Sequence, residues 1–442
     1  MTLEQLRKAV ADGAVDTVLL VFCDMQGRLQ GKRLVGTHFV EDVIEHSAEG
    51  CNYLLAVDVD MNTVSGYAMS SWETGYGDFV LKPDFDTLRM VGWHTRTAMC
   101  MADLAWHDDS DVVASPRQIL RRQLTRLAER GWTALAATEL EFIVFRDTYE
   151  EAWRKAYRGL EPANYYNVDY SMLGTSRVEP LLGRIRREMA RAGLRVENSK
   201  GECNFGQHEI NFTYEHALAA ADTHTIYKNA AKEIASQEGM AITYMAKFDE
   251  REGNSCHIHL SLRRDDGGIL FGDEPKLFES FVAGQLACVR ELTLFLAPNV
   301  NSYKRYAEGS FAPTAVAWGH DNRTCSFRVI GHGPSLRVEN RVAGGDVNAY
   351  LALAAMIAAG LHGIDAELEL EPPFEGNAYT ADKPRVPSTL LQARELFAGS
   401  TVAREAFGED VVAHYLNYAD VELRAFESAV TDWERFRGFE RL

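Results

Sequence analysis

Apolar and polar residues alternate with two periods along this chain, and the change between them marks its organisation. Val15 to Cys23 (VDTVLLVFC) is a β-type run. The next segment, DMQGRLQGKRLV, reads as a hairpin with Gly27 and Gly31 at turn positions. Residues 71–92 hold Gly75, Gly77 and Pro83 among aromatics and read as loop or short strand. At Ser115 the pattern becomes helical. Ser115 is a good N-cap, Pro116 suits the first helical position, and Ile119, Leu120, Leu124 and Leu127 follow at helical spacing until Gly131. This places a boundary at about 110–114, between an N-terminal domain 1–112 and a larger domain 113–442. Beyond it, strands are predicted at 132–146, 203–214, 241–248, 255–263, 323–330 and 335–342. Helices are predicted at 115–130, 178–192, 216–239, 275–296, 346–362, 388–398 and 401–407. The run Ala349 to Leu361 reads as a buried helix with Asp346 as acidic N-cap. It falls well short of the ~20 residues a bilayer requires. The elements do not form regular βαβ units, so the expected class is α+β: a mainly antiparallel sheet with helices packed on one side.

Composition narrows the partners. The chain has 442 residues, 46 Lys+Arg and 64 Asp+Glu, a net charge of −18 with His neutral. Hydrophobic residues make up 46%, enough apolar surface to exclude disordered and low-complexity classes. The negative charge argues against nucleic acid and anionic membranes as partners. It leaves an anionic substrate open, because metal ions or a few Arg invert the field of a cleft. The N-terminus, MTLEQLRKAVADG, is charged throughout and does not read as a secretory signal. The seven cysteines form no CxxC pair and read as reduced thiols of a cytoplasmic protein.

Common phosphate motifs fail. Gly27 to Arg33 is one residue short of a Walker loop and ends in Arg, and no segment completes G-x-G-x-x-G. What remains is a set of strands whose polar residues sit two apart and so share a face. Glu139 and Glu141 lie among Leu140, Phe142, Val144 and Phe145. Two like charges on one buried face repel unless a cation sits between them; the bland alternative is a solvated edge strand. Glu202 and Glu209 flank a glycine turn in Lys200-Gly-Glu202-Cys-Asn-Phe-Gly206-Gln207-His208-Glu209. His257, His259 and Ser261 share a face, as metal or phosphate contacts or as two surface histidines. Arg323, Arg328, Arg337, Glu339 and Arg341, with Asn301-Ser-Tyr-Lys-Arg305, supply forks suited to phosphate or carboxylate oxygens, or a salt-bridged face. Together these groups can hold two or three divalent cations plus polyphosphate, phosphoryl-transfer machinery without a P-loop.

On these residues, in order along nearly the whole chain, the sequence resembles the glutamine synthetase family. The resemblance implies a small β-grasp-like N-terminal domain over a large catalytic domain, and active sites between subunits of a six-membered ring, commonly two rings stacked. It implies that Glu141, Glu202 and Glu209 hold one Mg or Mn ion and that Glu139, His257 and Glu339 hold a second on the phosphates of ATP. Arg305 would bind the glutamate carboxylate, Arg341 would lie near glutamate and the transferred phosphoryl group, and Arg323 would stabilise its transfer. His259, Ser261, Arg328 and Arg337 would line the ATP side; Gly253 and Phe311 would join Arg305 and Arg341 on the substrate side.

The departures from the family concern the amine. Ammonia-using members carry a Glu on a flap after the Arg305 motif, where this chain has Phe311 before Ala312-Pro313. The Asp-Gly-Ser-Ser ammonium loop is replaced by Leu54 to Asn62, and Asn-Gly-Ser-Gly by Glu252-Gly253-Asn254-Ser255. Gly376-Asn-Ala-Tyr379 stands where an Asn-Leu-Tyr-Asp-Leu loop is found. Losing the flap carboxylate removes the compact charge an ammonium pocket needs. The expected activity is therefore ATP-dependent joining of glutamate to an organic amine such as ethanolamine or a polyamine, through γ-glutamyl phosphate. Glu308, Asp58 and Asp60 are candidates to receive its ammonium group. The alternatives are an ordinary ammonia-using enzyme, a non-catalytic structural relative and a phosphoguanidine-forming phosphotransferase.

Overall fold

The computed structural model describes residues 1–442. The first sheet has five strands: β1 (Thr17–Cys23), β2 (Leu29–Val35), β3 (Ala48–Cys51), β4 (Asp78–Met90) and β5 (Thr97–Ala105). Their order is β2-β1-β5-β4-β3, with β1 and β5 parallel and the other pairs antiparallel. The predicted hairpin forms, but Gly31 is not in its turn. Gly31 sits inside β2 at φ +151°, where a Cβ would lie 2.1 Å from the Leu20 carbonyl oxygen. The turn is instead closed by Asp24, which accepts from Gln26 N (3.0 Å) and Arg28 N (2.8 Å). Residues 71–92 also hold more structure than expected, because β4 runs for 13 residues with an irregularity between Asp84 and Arg89. Pro83 is tolerated there because β3 ends opposite Leu81, leaving that side of β4 unpaired.

The second sheet has nine strands: β6 (Trp132–Phe145), β7 (Val196–Gly201), β8 (Gln207–Phe212), β9 (Glu215–His216), β10 (Ala241–Thr243), β11 (Cys256–Arg264), β12 (Trp318–His320), β13 (Phe327–Ile330) and β14 (Arg337–Asn340). Its order is β12-β13-β14-β11-β6-β8-β7, with β9 and β10 also on β6, and only β12–β13 is parallel. The α+β class with a mainly antiparallel catalytic sheet is therefore the observed one. On β6 the alternation is strict: Ala134, Ala136, Leu140, Phe142 and Val144 enter the core, against helices Pro116–Ala128 and Ala217–Gln237. One continuous apolar core runs beneath both sheets. No helix is long and apolar enough to cross a membrane. All seven cysteines are free, five of them buried.

The helix Ala349–Asp365 starts later than predicted. Its N-cap is Asn348, whose side chain accepts from Tyr350 N and Leu351 N. Asp346 is not the cap; its carboxylate accepts from Asn299 Nδ2 (2.9 Å) and Ser302 Oγ (2.6 Å). Helices Leu3–Ala11, Glu409–Ser428 and Asp432–Gly438, and strands β5 and β7, lie outside the predicted set. The helix Glu409–Ser428 follows Gly408, at φ +88°, with no side-chain cap to announce it. Strand β7 is VENSKG, too polar to read as a strand.

The first sheet is tied through Arg117, on helix Pro116–Ala128, to helix Ala217–Gln237, which backs the second sheet. The Arg117 side chain is 2% exposed and donates to Asp222 Oδ1 (2.9 Å) and Oδ2 (2.8 Å), Asp103 Oδ1 (2.7 Å) and Asp84 Oδ2 (2.7 Å). Tyr350 Oη also donates to Asp222, at 2.5 Å. In Arg117→Met, Arg121 still serves Asp84 and Asp103, but Asp222 keeps only the tyrosine hydroxyl. The expected loss is about 3–5 kcal/mol, the cost of stranding one partner of a buried pair. Arg130→Ala, which breaks a partly exposed pair with Asp365, is expected to cost under about 1 kcal/mol. Urea unfolding of the two variants measures the difference; equal losses would contradict this role for Arg117.

Candidate active site

Register delivers the functional side chains. Across β8, β6 and β11, Asn211, Glu139 and His257 stand in one row, and Glu209 stands opposite Glu141. Farther along, His259 opposes Glu339 on β14, which opposes Arg328 on β13. With a side-chain period of two, all of them rise from one face of the sheet. That face floors a cavity of about 920 Å³. Glu139, Glu141, Glu202, Glu209, His257, Glu339, Arg323, Arg328, Arg341, Gly253 and Phe311 line it.

The remaining predicted residues lie outside its wall. His259 Nε2 is 3.0 Å from Glu139 Oε1, and its Nδ1 accepts from Arg337 Nε at 3.3 Å. Ser261 Oγ donates to the Leu336 carbonyl at 2.8 Å. Arg305 is buried beneath the floor. It donates to Ser255 Oγ (3.0 Å) and to the carbonyls of Arg341, Val342 and Ala343, so its fork faces backbone rather than the cavity. Gly253 allows this approach, because a Cβ there would sit 2.8 Å from Arg305 Cγ. Glu308, Asp58 and Asp60 do not line the cavity of their own chain, and Asp58 caps its own loop through Asn62 N (2.8 Å).

The electrostatics ask for cations. Ligand atoms of Glu141, Glu202 and Glu209 lie within 4.8 Å of one another, as do those of Glu139, Glu209 and His257, and of Glu139, His259 and Glu339. Burial, with repulsion from Glu139 and Glu141, pushes the Glu209 carboxyl up to about 8. Burial also lowers His257, aided by Arg341, so its imidazole is held neutral, the form that ligates metal. His257 Nδ1 lies 3.3 Å from Glu139 and 3.6 Å from Glu339, and its Nε2 has no hydrogen-bond partner. Buried Glu339 is nevertheless held below its usual range by the charge of Arg341, which donates to it at 2.7 Å. The donor set therefore fits oxygen-loving divalent cations, one group being all carboxylate and the other two adding a single imidazole.

Sequence reasoning missed the residues that orient these ligands. Gln207 Nε2 donates to Glu141 Oε2 (3.2 Å), Gly253 O (2.9 Å) and Asn254 Oδ1 (2.9 Å), and Ser255 N donates to Glu141 at 2.7 Å. Asn211 Nδ2 donates to Glu209 Oε1 at 2.8 Å, and Asp321 holds Arg328 at 2.8 Å. The strand register of Asn211 opposite Glu139 was an available signal for the first of the last two.

A mainly antiparallel sheet carrying carboxylate rows, two histidines and an Arg wall is suited to hold divalent cations and phosphate oxygens. The glutamine synthetase catalytic-domain model matches residues 113–437, and the chain belongs to the glutamine synthetase family. It is 64% identical to γ-glutamylethanolamide synthetase GlnA4 of Streptomyces coelicolor, over 99% of this chain and 96% of that protein. It is 34% identical to a glutamate–isopropylamine ligase of Pseudomonas sp, over 98% of this chain and 97% of that protein. The solved structure of GmaS with ADP matches it with a TM-score of 0.87 at 25% identity, covering 98% of this chain and 99% of that one.

The raised Glu209 gives a pH signature. Free glutamate ionises near 4.5, whereas folded Glu209 keeps its proton to about 8. Between those values the folded state binds more protons, so metal-free protein loses stability as pH rises through this window. Melting temperatures in chelator should fall from about pH 6.5 to pH 8; below that range buried His208, His224, His257 and His414, all held under the usual imidazole value, act in the opposite sense. Added Mn²⁺ should flatten the slope, and so should Glu209→Gln without metal. A pH-independent melting temperature in chelator would contradict the buried repulsion.

Proposed function

We propose that this chain joins the γ-carboxylate of glutamate to a small primary amine of the ethanolamine class. One Mg or Mn ion would be held by Glu141, Glu202 and Glu209 and a second by Glu139, His257 and Glu339; such ions would neutralise phosphate charge as Lewis acids. Glutamate's γ-carboxylate attacks the γ-phosphorus of ATP, and the bond to ADP breaks. The neutral amine nitrogen then attacks the acyl carbon of γ-glutamyl phosphate, the carbon–oxygen bond to phosphate breaks, and the proton lost from nitrogen leaves with the phosphate. Arg323, Arg328 and Arg341 face the oxygens that gain charge, with His259, Ser261 and Arg337 behind the ATP side. Arg305 shapes the glutamate floor from beneath.

The observation that carries the amine class is Phe311. Its ring is 55% exposed at the cavity wall, where a carboxylate would be needed to hold ammonium. Elsewhere on the cavity wall Lys200 Nζ lies 4.8 Å from the centre of the Tyr170 ring, 4.0 Å from Asp169 and in contact with Glu202, so that aromatic and carboxylate position is filled by the chain's own ammonium group and, among the wall residues, Phe311 carries the reading alone. The near-full-length similarity to a γ-glutamylethanolamide synthetase supports the same reading. We further assign residues 1–112 and 113–442 as its two domains. The protein works in the cytoplasm as two stacked hexameric rings, with residues 54–65 of one subunit facing the cleft of the next.

ADP release and amide formation, measured with glutamate, ATP and a panel of ammonia, ethanolamine, putrescine, spermine and alkylamines, test this. Ethanolamine should exceed ammonia by about tenfold or more in kcat/KM, a difference of about 1.4 kcal/mol in transition-state binding. Phe311→Glu should narrow that ratio. Turnover with ammonia alone would overturn the proposal in favour of an ordinary glutamine synthetase.

A further inference from the structure

The loop that carries Phe311 is strained and tethered. Phe311 takes φ +57°, a left-handed conformation rare for a bulky residue. Such a conformation persists only where its surroundings fix it. On one side, Arg341 Nη2 donates to the Phe311 carbonyl at 3.3 Å, and Ser310 Oγ donates to Ala307 O at 2.6 Å. On the other side lies a segment the catalytic reading does not use, Gly376 to Arg385. Val316 N bonds Pro384 O (2.8 Å) and Val386 N bonds Thr314 O (3.1 Å). Arg385 donates to Thr314 Oγ1 (3.2 Å), Tyr379 O (3.0 Å) and Ala381 O (2.9 Å). Tyr379 is thus fastened to the strand by which the loop leaves the site. Its hydroxyl is buried, adjoins Ser310 and the Phe311 backbone, and completes no hydrogen bond.

A buried hydroxyl without a partner is unfavourable, and here it lies beside the strained residue. We propose that Tyr379 is a positioning residue for the Phe311 turn: its hydroxyl supplies the hydrogen bond that locks the turn when the loop settles over bound substrate. This deepens the amine-ligase reading and rests on it for its catalytic consequence. The lock keeps the Phe311 carbonyl on Arg341, and so keeps Arg341 aimed into the cavity. It also keeps water from the acyl phosphate while the amine attacks.

Tyr379→Phe removes one oxygen and leaves the ring. Its effects should each be about fivefold, the scale of one hydrogen bond. Hydrogen exchange of the 306–313 backbone should rise by that factor with ATP and glutamate present, at an unchanged melting temperature. KM for the amine should rise while KM for ATP holds, and the ratio of amide to ADP should fall as water intercepts the intermediate. In a Phe311→Gly background, where the left-handed turn is relaxed, Tyr379→Phe should add nothing. Unchanged exchange at 306–313, or equal losses in KM for ATP and amine together with a lowered melting temperature, would overturn the proposal. Should the wild type make no amide with any amine, the ligase reading fails, while exchange at 306–313 still decides the role of Tyr379.

Discussion

Three carboxylates, Glu139, Glu141 and Glu209, are brought together on one buried sheet face, and their mutual repulsion is the constraint on which the site depends. Adjacent strands fix them there, since a one-residue slip of β6 would send both of its glutamates into the apolar core. The surrounding arrangement answers that charge. Gln207, Ser255 and Asn211 hold the oxygens in place, Arg328 and Arg341 offset Glu339, and burial keeps His257 neutral. Divalent cations complete the balance, and a triphosphate then meets a site already organised against negative charge.

Much of this was legible in the sequence because strand periodicity is simple. The spacing of Glu139 and Glu141, and of His257 and His259, placed each pair on one face, and the register confirms both placements. What was not legible depends on contacts between distant segments. That the Arg305 fork turns under the floor follows from carbonyls 36 to 38 residues away. Gly31 looked like a turn residue but serves the close approach of β1 and β2, and Asp346 looked like a cap but buttresses Asn299 and Ser302. Local composition could not distinguish these uses. The polar strand β7 and the uncapped helix Glu409–Ser428 were hidden for a similar reason, since tertiary packing rather than propensity forms them.

Substrate choice lies at the rim of a site whose floor is shared chemistry. The floor commits the protein to handling ATP and a carboxylate. In the proposed reading Phe311 governs which nitrogen can approach, and the loop between Arg305 and Thr314 joins it to the floor. Its strained turn is held by Arg341 on the floor side and by the Arg385 segment on the other. One carbonyl oxygen, that of Phe311, thus joins the rim to the Arg341 side of the floor.

Anomalous diffraction from crystals grown with Mn²⁺ and a non-hydrolysable ATP analogue tests whether the carboxylate rows hold two cations. One peak is expected among Glu141, Glu202 and Glu209 and a second among Glu139, His257 and Glu339. An absence of peaks on this sheet face, or Mn²⁺ bound only at sites outside it, would show that the rows are balanced without metal.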